Sequence, residues 1–199
     1  MKNEIWRPLA EMKKEGLWYA IVTRDRYGKV VSRERRKSHS FLKQWNQLVY
    51  VQMAQSALNI TDTGGTPRSI SPHANNFRMD AGAGVTASGI RVGTGATAVA
   101  IDDYALGTPI AEGIGVDEME HLVCTIAASV VAAPSCSYVV SRSIVNNSAA
   151  EITVREAAIY MIMGSTPYYG CATRDVFVTP QAVPIGGAIT IDWTIQVTA

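Results

Sequence analysis

Near the C-terminus, Ile189, Ile191, Trp193, Ile195 and Val197 alternate one by one with Thr190, Asp192, Thr194, Gln196 and Thr198. Only an extended strand places alternate residues on opposite faces, so this stretch predicts a strand with one apolar and one polar side. Such a strand must lie in a sheet that something covers. Similar strand-forming runs recur upstream at 89–93, 120–131, 137–145, 151–163 and 170–178, with the last at 188–198. The residues between them form turns readily, at 133–135, 146–148, 164–167 and 184–187. Several strands joined by short turns predict a mainly β chain folded as an antiparallel, jelly-roll-like β-sandwich over 89–199.

The N-terminal part reads differently. Residues 3–15 fit a short helix with Asn3 as its cap and Ile5, Leu9 and Met12 on one face, although Pro8 blurs its start. Residues 17–23 and 29–33, joined by Asp25-Arg26-Tyr27-Gly28, predict a hairpin. One long helix follows, with Ser38 or Ser40 as its cap. Phe41, Leu42, Trp45, Leu48, Val49, Met53 and Ala57 recur at three- and four-residue intervals. Its other faces carry Gln44, Asn46, Gln47, Gln52 and Gln55, an amide-rich surface suited to packing against protein. From 59 to 88 no apolar period persists, which predicts an extended arm or long loop between a basic N-terminal region (1–58) and the sandwich.

Charge is divided along the chain. Residues 1–43 hold twelve Lys and Arg against five Asp and Glu, whereas 44–199 hold six Arg against twelve acids. This polarity predicts that the basic end meets an acidic surface, with Arg33, Arg35, Arg36 and Lys37 as its densest run. Trp18, Tyr19, Tyr27, Phe41 and Trp45 lie near that run at positions that strand and helix cores need. They make no stacking platform for bases, so protein rather than nucleic acid is the expected partner. No apolar run approaches the length of a membrane helix, and Met1 to Arg7 lack the apolar centre of a secretion signal. Synthesis and retention in a cytosol are the expectation.

Little in the sequence points to catalysis. Val92-Gly93-Thr94-Gly95 resembles part of a phosphate-cradling loop, yet it lacks the third glycine and a following helix, so a tight turn is expected. Asp102, Asp103, Glu112, Asp117, Glu118 and Glu120 lack the spacing of a calcium loop and read as solvated turns or contacts to a basic partner. His39, His73 and His121 form no HxH or HxxxH pair and read as surface or capping residues. Cys124, Cys136 and Cys171 form no CxxC pair and read as buried free thiols. No nucleophile elbow occurs. The chain is expected to be no enzyme and to need no cofactor.

Two groups of residues carry a resemblance. Residues 88–110, which include Val92-Gly93-Thr94-Gly95, Asp102-Asp103-Tyr104, Leu106 and Thr108-Pro109-Ile110, resemble a phrase common in structural proteins of tailed-bacteriophage virions. The succession at 139–147, Val154-Arg155-Glu156-Ala157-Ala158-Ile159-Tyr160, Ala172-Thr173-Arg174-Asp175-Val176-Phe177 and 190–197 is similar to theirs as well. The resemblance covers 88–199. It implies a β-sandwich that self-assembles in a virion after synthesis in the host cytoplasm, as a capsid-decoration, neck or tail component docked to copies of itself and other virion proteins. It implies no catalytic residue. Asp102 and Asp103, just before the apolar anchor Leu106, read as a loop docking onto a strand and as candidate contacts for the basic end. The pairs Arg155-Glu156 and Arg174-Asp175 read as charges that register neighbouring strands. The alternative is a fibre or spike module that binds host-surface glycans, with Tyr168 and Tyr169 exposed in a turn.

Overall fold

The computed structural model describes residues 16–198. The helix expected over 3–15 lies outside the described residues. In chain order the elements are β1 (Gly16–Arg24), β2 (Val30–Lys37), α1 (Lys43–Ala54), β3 (Leu58–Thr61), β4 (Pro67–Ile70), β5 (Gly89–Gly93), β6 (Ala111–Glu112), β7 (Glu118–His121), β8 (Thr125–Ile126), β9 (Val130–Ala132), β10 (Ser135–Val145), β11 (Ile152–Met163), β12 (Tyr168–Val183) and β13 (Ala188–Thr198). The chain is mainly β, with one helix among the described residues.

Eight strands form one sheet in the order β2-β1-β13-β10-β7-β6, with β8 and β9 also paired to β10. The second sheet runs β12-β11-β5. All pairings in these sheets are antiparallel except β6 with β7. A continuous core between them takes Leu17, Tyr19, Ile21, Val140, Ile144, Ile189, Ile191 and Trp193 from the large sheet, and Ile90, Val92, Ile159, Met161 and Phe177 from the small one. Tyr19 spans the layers, with its ring 5.7 Å from Phe177 and 5.9 Å from Trp193. The mainly β sandwich, the N-terminal hairpin and the helix that follows it are therefore as the sequence predicts.

The hairpin is nonetheless part of the sandwich. β1 pairs with β13 along its whole length, from Gly16 opposite Gln196 to Arg24 opposite Ala188. Its turn is held by Asp25, whose Oδ1 accepts from the amides of Tyr27 (2.9 Å) and Lys29 (3.0 Å), while Gly28 takes a φ of 78°.

Residues 59–88, expected as an arm or loop, fold into the body. β3 and β4 make a hairpin, and Ile60, Ile70, Met79 and Ala81 join the main core. The Phe77 amide donates to Ile162 O, and the Ile162 amide donates to Arg78 O. Apolar residues here are too sparse for a visible period, but these four are anchors.

The helix begins at Lys43 rather than at a serine cap. Ser38 is recruited elsewhere: it donates to the Asp175 carboxylate and accepts from Trp193 Nε1 (3.2 Å). The buried face of α1 is Gln44, Leu48 and Val51, so the predicted stripe drifts and leaves Met53 81 % exposed. The expected strand over 120–131 is instead the three short pieces β7, β8 and β9, because Cys124 turns inward and bridges to Ala81.

Alternation in β13 also breaks after Trp193: Gln196 is buried and Val197 is 57 % exposed. At this end the large sheet overhangs the small one. Residues 135–139 are all half-buried and 130–134 all exposed.

Candidate functional site

The phrase at 88–110 closes over the outer face of the small sheet. β11 alternates below it, with Ala157, Ile159 and Met161 facing the main core. Ala158 and Tyr160 face a second cluster with Leu42, Leu106 and Cys171, against which Val99 and Ala105 pack. Leu106 is thus the apolar anchor the sequence predicts, and its amide donates to Tyr160 Oη (2.9 Å).

At the centre of this closure lies Glu156, fully buried. The β11–β12 ladder is interrupted between Val154 and Glu156, where the single residue Arg155 faces four residues of β12 (177–180); Arg155 is exposed and Glu156 is buried under the loop. Its carboxylate accepts from the amides of Gly95 (3.1 Å), Gly107 (3.1 Å) and Thr108 (2.8 Å). Arg174 reaches it from β12 through Nε (2.8 Å), while Nη1 binds Asp103 Oδ2 (2.7 Å) and Nη2 binds Thr97 O (3.0 Å). Burial pulls the Arg174 guanidinium down, but its bonds to Glu156 and Asp103 outweigh that and leave it raised. Glycine is required where the loop meets this carboxylate: a Cβ on Gly93 would lie 2.5 Å from Thr108 O and 2.6 Å from Glu156 Oε1. The glycine loop therefore does cradle an anion, and the anion is the chain's own.

This geometry reassigns two sequence readings. Glu156 and Arg174 pair with each other within one chain, each apart from its sequence neighbour Arg155 or Asp175. Asp103 serves the same network and also caps the Ala100 amide through Oδ2 (2.9 Å), while Asp102 is exposed. Asp175 instead ties the β2–α1 connection to β12, accepting from the His39 amide (2.9 Å), His39 Nδ1 (2.5 Å) and Ser38. Burial pushes its carboxyl up, against the pull of those bonds.

The basic run lies on β2, an edge strand. Arg33, Arg35 and Lys37 stand opposite Val22, Ala20 and Trp18 on one face. Arg36 falls on the other face, paired with Glu34, whose Oε2 also accepts from Gln181 Nε2 (3.1 Å). The four cations are thus divided between two faces rather than gathered into one patch. Tyr168 and Tyr169 open β12 half-buried, with the Arg68 guanidinium 4.8 Å from the Tyr168 ring, so they are not an exposed pair in a turn.

A second polar cluster escaped the sequence reading. His121, expected at the surface, is fully buried, and its Nδ1 lies 2.8 Å from Glu112 Oε2. Its Nε2 has no partner among the described residues. Beside it, buried Arg142 donates from Nε to Leu122 O (2.7 Å), from Nη1 to Ile90 O (3.0 Å), and from Nη2 to Val85 O (2.8 Å) and Gly82 O (3.2 Å). One side chain thereby ties β5, the 82–85 loop and the segment after β7 to β10. A lone histidine and a lone arginine carry no local signal of this, because their partners come from remote segments.

Cys124 and Cys171 are buried and Cys136 half-buried, all free thiols. Among the described residues no group of three or more His, Cys, Asp or Glu is placed to hold a metal ion, and no helix is long and apolar enough to cross a membrane. Comparison with family models, with curated proteins and with solved structures finds no match to this chain.

Proposed function

We propose that this chain is a structural subunit of a tailed-phage virion, a capsid-decoration, neck or tail component that acts by self-assembly and protein–protein docking. The observation that carries the reading is the clasp around Glu156. The residues that resemble virion proteins, from Gly93 to Thr108 and at Glu156, Tyr160 and Arg174, use their polar groups on one another. A phrase whose polar chemistry is internal bracing serves a body that must be rigid, and rigid β-sandwiches suit repeated packing. On this reading the protein is made in the host cytoplasm and resides in the particle. The test is mass spectrometry of particles banded from a producing lysate. The chain should be present at fixed stoichiometry; abundance in the lysate with absence from the particles would overturn the reading.

A further inference from the structure

The two ends of the large sheet are built in opposite ways. At the β2 edge, Arg33, Glu34, Arg35, Arg36 and Lys37 follow one another, the charged dressing that keeps an edge strand from pairing. Along the other side of β10 run β8 and β9, and nothing of that kind protects them. Residues 122–141 contain no Asp, Glu, Lys or Arg. Residues 125–134 are exposed without interruption, on both faces.

Leu122, Val123, Ile126, Val130, Val131 and the neighbouring Val197 are between 44 % and 79 % exposed. Together they leave roughly 500 Å² of apolar surface, high in the range that a monomer keeps open. Among the described residues β9 pairs with β10 on one side only, with Val131 opposite Cys136, and its other side has no strand partner there.

We propose that this edge is a homotypic interface: β9 of one copy pairs antiparallel with β9 of a second about a two-fold axis near Val131, joining the two large sheets into one. This rests on the self-assembly reading above and names its surface. Charge selects the occupant. A neutral apolar edge matches another neutral edge, whereas the charged β2 edge would bring desolvated cations against Val130 and Val131. Pairing is therefore edge to like edge, which closes as a dimer rather than running on as a filament. Backbone bonds and side-chain contact both contribute, and the patch with its flanking alanines approaches the area of about 800 Å² per partner that a specific interface uses. Association of this kind should not weaken as salt is raised, unlike docking of a basic arm on an acidic body.

The experiment is sedimentation of the full chain over a concentration series, with Val131→Lys, Val131→Glu and their equimolar mixture. Wild type should dimerise. Each variant should associate about 100-fold more weakly, because like charges meet at the axis, and the mixture should recover the dimer. Folding of each variant is checked by its thermal transition, and Val131, being exposed, leaves the core untouched. Hydrogen exchange of wild type gives a reading independent of any variant: amides of 130–132 should gain protection as concentration rises. An oligomer indifferent to both substitutions, or without that protection, would overturn this interface and leave self-assembly standing. A wild-type monomer at every concentration and salt would overturn both.

Discussion

Glu156 shows how much one buried carboxylate can hold. It joins three loop amides, and Arg174 links it to Asp103, so its removal leaves a buried guanidinium short of a partner and three amides without acceptors. Breaking a buried pair in this way costs about 3–5 kcal/mol. We expect Glu156→Ala to lower the unfolding free energy from urea titration by an amount of that order. Glu156→Gln should cost less, since its amide oxygen still accepts; equal stability of both variants and wild type would contradict the clasp. His121 makes a different prediction. Burial lowers its pKa, the Glu112 bond opposes this, and the Arg142 and Arg91 charges add to the lowering, which brings it to about 4. The unfolded imidazole titrates near 6.5. Between those values the unfolded chain binds a proton that the folded chain refuses, so stability is full above about pH 6.5 and falls as pH drops toward 4. The loss is on the order of 3 kcal/mol. Asp175, raised by burial, acts in the opposite direction. The measurement is therefore the pH dependence of wild type minus that of His121→Asn, which should retain only the histidine contribution.

At the scale of elements, the helix is the least settled piece. α1 buries Gln44 completely, and neither its Oε1 nor its Nε2 has a hydrogen-bond partner among the described residues. Leu48 and Val51 lie on the same face, so the site favours an apolar side chain. An unpaired buried amide costs about 1–3 kcal/mol. Gln44→Met, similar in length and flexibility, should raise the melting temperature; a lower one would mean that the amide is satisfied. The amide-rich helix surface was legible as a face packed on protein, and Gln52 fits that reading. Its Oε1 accepts from the His73 amide and from Asn76 Nδ2, both at 2.9 Å. Which glutamine would be buried was not legible. Twelve residues with weak amphipathicity take their rotation from whatever they pack on, here β12 and β3.

Across the whole molecule, the first described strand pairs with the last, and a single core includes residues from Leu17 to Trp193. The chain should unfold in one transition, with coincident fluorescence and circular dichroism curves. Residues 59–88 should resist protease until that transition, because Ile60, Ile70 and Met79 are held in the common core. Early cleavage there with the sandwich intact would show an independent segment. What the sequence by itself determined is local: the long strands, the turns between them, the β1–β2 hairpin and the helix after it follow from period, β-branching and turn chemistry within ten or so residues, whereas the β3–β4 hairpin and the break-up of 120–131 do not. Tertiary structure decided the rest. Asp103 meets Arg174 across 71 residues and Arg142 meets Gly82 across 60, and no local pattern encodes such meetings. The same physics explains the turn of β13 after Trp193 and the bare edge at β9. Which face of a strand is covered depends on where the second sheet ends, and that boundary exists only once both sheets have formed.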